Sequence, residues 1–158
     1  MFAHATRTRA FSLIELVIVV VIIGIIAAIA VPRMSRGAAG AADSALTANL
    51  AMLRNAVDLF QTEHGGAFPS ITDLPNALTQ FSNETGTTFS ASKTATEYYG
   101  PYLRAIPALP VGSNKGLNTF TATLGGAYGW VYDAATGGFK ANLPGTEKDV
   151  RGIAYNAY

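Results

Sequence analysis

Two placements among the ten acidic side chains of this 158-residue sequence could carry chemistry. Glu15 is the single charged residue between Phe11 and Val31, in the stretch "FSLIELVIVVVIIGIIAAIAV". A carboxylate in lipid costs on the order of 2.5–3.5 kcal/mol by insertion scales, so its presence implies a partner or a function. The second placement is near the C-terminus, where Asp133, Asn142, Glu147 and Asp149 supply oxygen ligands. Hard oxygen donors suit calcium, although the spacing here matches no EF-hand loop.

Other chemistries find little to work with. There is no cysteine, hence no disulfide framework and no thiolate, and one of the two histidines, His4, stands in the first ten residues. HExxH, P-loop and GxSxG patterns are absent, and the Gly-rich "LGGAYGW" does not fit a dinucleotide fingerprint. The expectation is therefore a protein that is not an enzyme. Eleven basic side chains against ten acidic ones, with the Lys and Arg residues of the C-terminal part standing singly, offer no basic patch for phosphates, so no nucleic acid is expected as a partner.

The elements that would position Glu15 follow from the distribution of apolar residues. Hydrophobic residues make up 49% of the chain, more than a small soluble domain needs, and the excess lies in the 21 residues from Phe11 to Val31. At a rise of ~1.5 Å per residue such a helix spans roughly 31 Å, close to the ~30 Å of a bilayer's hydrocarbon. A secretory signal peptide is the competing reading, since Arg7 and Arg9 precede the run and "AIA" at 28–30 resembles a cleavage site. The length of the run and the carboxylate at its mouth speak against it. Arg33 and Arg36 flank the other end, so basic-residue bias hardly selects an orientation; the short leader and long C-terminal part favour a cytoplasmic N-terminus.

Gly24 and Pro32 punctuate the run, weakening helix by roughly 1 and 3 kcal/mol respectively. The "GIIAAIAVP" between them is rich in small residues that let helices approach closely. That stretch either loses helix on packing or is simply kinked at Pro32. Beyond it, Leu46, Leu50, Leu53, Val57 and Phe60 recur at spacings of four, three, four and three, an amphipathic stripe that Gly65 and Gly66 terminate. The helix is thus expected from about Phe11 to about His64, its second half packed on a globular head through the stripe.

The head reads as short and turn-rich. A brief helix is expected near Leu74 to Phe81, and "SNETGTTFSASKTATE" reads as a polar surface loop. "AYGWVYDAATGGFKANL" predicts a β-hairpin with arms Trp130 to Tyr132 and Phe139 to Ala141.

"RAFSLIELVIVVVIIGIIAAIAVP" resembles the N-terminal signature of the type IV pilin superfamily, which includes type IV pilins and type II secretion pseudopilins. The resemblance implies that prepilin peptidase cuts a basic leader between Ala10 and Phe11 and that the Phe11 amine is N-methylated. Glu15 then becomes the fifth residue of the mature chain, where the family places its glutamate, and Pro32 falls at the family's proline. Ala10 departs from the family's usual glycine before the cut. In a bundle of identical helices each Glu15 can meet the new Phe11 amine of a neighbour; the alternative is a carboxylate solvated at the headgroup boundary. The head, with "GPYL" and "GWVYDAATG", is similar to pseudopilin heads more than to disulfide-bearing pilins. Major pseudopilins bind calcium near the C-terminus, where it steadies a head that has no disulfide, so the resemblance makes calcium a candidate ligand of Asp133, Asn142, Glu147 and Asp149.

The fold expected is α+β and pilin-like: a long N-terminal helix, membrane-spanning in its first half, packed on a small antiparallel-sheet head. Its parts are a leader at 1–10, an assembly helix at 11–32, an amphipathic second half at 33–64, and a head at 65–158. The function expected is a filament subunit that polymerises with itself through the N-terminal helix, with Glu15, Gly24 and Pro32 as assembly residues. The leading version is the major pseudopilin of a type II secretion pseudopilus; the alternatives are a type IV pilin of a surface fibre and a non-polymerising anchored binding protein. Implied partners are prepilin peptidase, an inner-membrane assembly platform, and minor pilins or pseudopilins, with the membrane itself holding the precursor.

Overall fold

The computed structural model describes residues 11–158, and for Val31, Pro32, Ser35 and Arg36 the backbone alone. The expected leader, and Ala10 at the expected cleavage junction, lie outside the described residues. The chain divides into two compact units, Met1–Ala38 and Ala39–Tyr158. The boundary falls within helix α1, Leu13–Glu63.

In the first unit α1 opens directly after Ser12, whose carbonyl accepts the Leu16 N–H at 3.2 Å. The helix is continuous through Gly24 and Pro32. Pro32 has no N–H to return to the fourth residue back, so one rung of the ladder is missing there by covalent structure.

In the second unit the rest of α1 supplies one wall of the core. Leu46, Leu50, Leu53, Val57 and Phe60 are all buried, as the stripe predicts. Packed with the first four are Leu74 and Leu78 from the short helix α2 (Leu74–Thr79), Leu103, Leu109 and Val111 from the irregular chain between, and Trp130, Tyr132, Phe139, Ala141 and Leu143. Helix α2 stops two residues before the expected Phe81. Gln80 is already extended, and Phe81 is taken into strand β1 (Phe81–Ser82), paired antiparallel with β2 (Phe89–Ser90).

The second sheet has three strands in the order β3 (Phe120–Thr121), β4 (Trp130–Asp133) and β5 (Gly138–Ala141). Strands β4 and β5 form the expected hairpin, in register Trp130 opposite Ala141 and Tyr132 opposite Phe139. Alternation puts those four side chains into the core and leaves Asp133, Gly138 and Lys140 exposed. Gly137, at φ 71° in the connecting turn, takes a backbone conformation that a side chain would strain. Strand β3 runs parallel to β4, so the sheet is mixed where an antiparallel one was expected. Its two residues pair with β4 across the connection 122–129, which no hairpin signal announces.

Polar atoms of the buried aromatics find backbone partners. Trp130 Nε1 donates to the Pro107 carbonyl at 2.8 Å, and the Tyr132 hydroxyl to the Pro69 carbonyl at 3.0 Å. Burial, with the Asp133 charge adding to it, pushes the Tyr132 hydroxyl up to about 12. From α1, Arg54 Nη2 donates to the Phe139 carbonyl at 2.8 Å, tying the helix to the edge strand β5.

Candidate functional site

The apolar N-terminal stretch of α1 is exposed along its length. Leu13–Ala30 is long and apolar enough to cross a membrane, and none of it is buried among the described residues. Among its large apolar side chains, exposure runs from 82% at Leu13 to 47% and 48% at Val17 and Val19. The contrast with the second half of the same helix is chemical: there the apolar residues form a stripe, here they occupy the whole circumference, and a helix apolar all round needs lipid or other protein on every side. A Cβ placed on Gly24 would meet nothing within 4 Å. Gly24 thus leaves a notch in the apolar surface that nothing among the described residues fills.

Glu15 sits in the first turn of α1 and is exposed. The free N–H groups of a helix start carry a partial positive charge, so this is the end of the helix at which a carboxylate is favoured. Ser12 at the start followed by Glu15 three residues on is also the residue pattern of a capping box, a local signal beside the family one. Phe11, one turn before Glu15, lies ahead of the helix and is 78% exposed.

The second candidate site does not converge. Asp133 is spent on its own hairpin turn: Oδ1 accepts the Ala135 N–H at 2.9 Å and Oδ2 the Thr136 hydroxyl at 2.7 Å. The Thr136 bond, then the Ala135 bond, hold its carboxyl below the usual range. Asn142 is buried, with Oδ1 accepting the Gly125 N–H at 2.8 Å. Glu147 accepts the Ser113 N–H at 2.9 Å. Asp149 is buried and accepts from the backbones of Arg151 and Ile153, from Arg151 Nε at 2.7 Å, and from the Tyr158 hydroxyl. Burial alone would push the Asp149 carboxyl up; the bonds from Tyr158, Arg151 and Ile153 outweigh it and hold it well below the carboxylate range. Asp133 and Asp149 each organise a turn of their own, while Asn142 and Glu147 hold the loop between Gly112 and Gly129. Among the described residues no group of three or more His, Asp or Glu side chains is placed to hold a metal ion. The donor set therefore does not fit the calcium that the resemblance implies.

Asp43 is a buried carboxylate that hydrophobic patterning does not mark. Its Oδ2 accepts the Val150 N–H at 3.1 Å and its Oδ1 the Tyr155 hydroxyl at 2.8 Å, which fastens the C-terminal segment onto α1. A signal for it exists in the sequence: Asp43 lies three residues before Leu46 and so continues the stripe toward the N-terminus. A second buried polar group, His64, donates Nδ1–H to the Phe60 carbonyl at 2.7 Å and accepts the Ser82 hydroxyl on Nε2 at 3.0 Å.

No curated protein and no solved structure matches the chain. The N-terminal part does match a known family, and at the place where the unburied helix begins. Residues 6–31 match the prokaryotic N-terminal methylation motif, so the chain carries the prepilin signature of type IV pilins and pseudopilins.

Proposed function

We propose that this chain is the major pseudopilin of a type II secretion pseudopilus: a single-span precursor cut between Ala10 and Phe11, N-methylated on Phe11, and polymerised through residues 11–32. Glu15 compensates the Phe11 amine of a neighbouring subunit in the filament. Residues 33–64 carry the head, and residues 65–158 complete it. Supporting the general reading as a pilin-like subunit is the methylation motif at residues 6–31. The observation that carries the assembly step is the segment Leu13–Ala30, apolar around its circumference apart from Glu15 and with none of it buried among the described residues. Lipid covers such a helix in the precursor; after cleavage, identical helices cover it in a bundle.

The chemistry of the transfer is a matter of charge. Cleavage before Phe11 creates an ammonium group about one turn from Glu15, and a subunit that leaves the membrane with an unpaired charge meets a large desolvation cost. Pairing across subunits removes it. A head that contains no cysteine supports the secretion version over a disulfide-bearing surface pilin. The deciding experiment deletes the chain in its native host. Loss of secreted enzymes from the medium, restored by the wild-type chain, supports the pseudopilin reading; normal secretion with loss of surface fibres assigns it to a type IV pilus instead.

A further inference from the structure

Two asparagine side chains hold the loop between Gly112 and Gly129. Asn114 Nδ2 lies 3.2 Å from the carbonyl oxygen of Gly126, 2.9 Å from that of Tyr128 and 2.7 Å from that of Asn142. The buried Asn142 works from the other side: its Nδ2 donates to the Gly125 carbonyl at 3.0 Å and to the Tyr128 carbonyl at 2.9 Å, while its Oδ1 accepts the Gly125 N–H. The Tyr128 carbonyl is thus shared by both amides, one for each of its lone pairs. Three backbone carbonyls converging on one point form the kind of oxygen cage a hard cation takes. Here the point is filled by an amide nitrogen, whose two hydrogens serve three acceptors. The Glu147 carboxylate, which reaches the same loop, is engaged on the Ser113 N–H.

We propose that the Asn114 and Asn142 amides do in this head what the resemblance assigns to calcium, so that the loop is ordered by a neutral latch and the head is stable without metal. The latch belongs to the head alone and is the same whichever filament the chain builds. It has a sharp corollary at one atom. Asn114→Asp replaces the donor with a carboxylate oxygen facing three carbonyl oxygens, a repulsive arrangement that a hard cation relieves. The latch is therefore one charge away from a calcium site.

The test is thermal melting of the full chain in detergent micelles, followed by Trp130 fluorescence, with saturating calcium chloride or with chelator. For the wild type the two curves coincide. Asn114→Ala melts lower by roughly 4–12 °C in both conditions, because it leaves carbonyls unsatisfied whatever the calcium level. Asn114→Asp melts low in chelator and recovers with calcium. A wild-type chain that melts higher with calcium overturns the proposal, as does an Asn114→Ala chain that melts like the wild type. If Asn114→Asp fails to fold in either condition, the wild-type and Asn114→Ala curves decide alone.

Discussion

The Tyr155 hydroxyl donates to Asp43 Oδ1 at 2.8 Å, joining residues 112 apart in the sequence. Asp43 stands on α1 near the start of the buried stripe, and Tyr155 opens a 3₁₀ turn, Tyr155–Ala157, at the end of the chain. With the Val150 N–H on its other oxygen, Asp43 is the point at which the last segment of the head closes on the helix. Asp43→Ala leaves two donors without their acceptor and is expected to cost about 1–3 kcal/mol of head stability, measured by chemical denaturation of the full chain in detergent. Asp43→Asn, which keeps one acceptor oxygen, should lose less. Equal stability of all three proteins would show the closure to be incidental.

The pH dependence of the head follows from the same region. The Asp149 carboxyl is held below its usual range in the folded chain, so its contribution is present above the unfolded value of about 4 and is lost as pH falls through the folded one. Burial, then the bond to Asp43, pushes the Tyr155 hydroxyl up to about 12. A raised value acts in the opposite sense: its stabilisation is present below the unfolded value of about 10 and is lost as pH rises toward the folded one. The melting temperature should thus fall below pH ~4 and again above pH ~10. Asp149→Asn should flatten the acid limb and Tyr155→Phe the alkaline limb, each variant being less stable than wild type between them.

The two halves of α1 should answer differently to the same substitution. Leu53 is fully buried, and Leu53→Ala is expected to destabilise the head by about 2–5 kcal/mol. Ile22 is 51% exposed on the apolar segment, so Ile22→Ala should leave the melting temperature of the head unchanged. A comparable loss from Ile22→Ala would mean that the apolar segment supports the head.

Sequence betrays structure in this chain where the signal is periodic and local. The stripe from Leu46 to Phe60 is legible because a 3.6-residue period held over four turns marks an amphipathic helix and little else. The Trp130 to Ala141 hairpin is legible because its arms alternate around a Gly-rich turn. Strand β3 is not, being two residues long and paired in parallel with a strand beyond a loop; nor are β1 and β2, the latter inside a polar stretch that composition marks only as surface. Leu103, Leu109 and Val111 reach the core from irregular chain, where no period exists to reveal them. Asp43 escapes a stripe drawn by hydrophobicity, although its position keeps the stripe's spacing. The oxygen donors Asp133, Asn142, Glu147 and Asp149 look like a set because they are close in sequence, but Asp133 and Asp149 turn to the backbone beside them while Asn142 and Glu147 turn to a loop earlier in the chain.

Processing has its own expected outcome. Mass spectrometry of assembled material should give a mature N-terminus at Phe11 carrying a methyl group, and Ala10→Gly should speed the cut. A terminus after Ala30, or an intact Met1, would contradict the assignment of residues 1–10 as a leader.

Assembly through Glu15 is the step on which the proposed function rests. Glu15→Ala should leave expression, membrane insertion and cleavage intact, because an apolar helix end enters lipid at least as readily without the carboxylate. In the filament the same change strands a buried ammonium, a loss of roughly 3–5 kcal/mol for one side of a buried pair. Glu15→Gln, which still accepts a hydrogen bond, should be milder. The direct measurement is the yield of sheared filaments from wild-type and Glu15→Ala cells matched for mature subunit. A sharp drop is expected for Glu15→Ala, with Glu15→Gln between the two; equal yields would mean that the carboxylate does nothing in assembly.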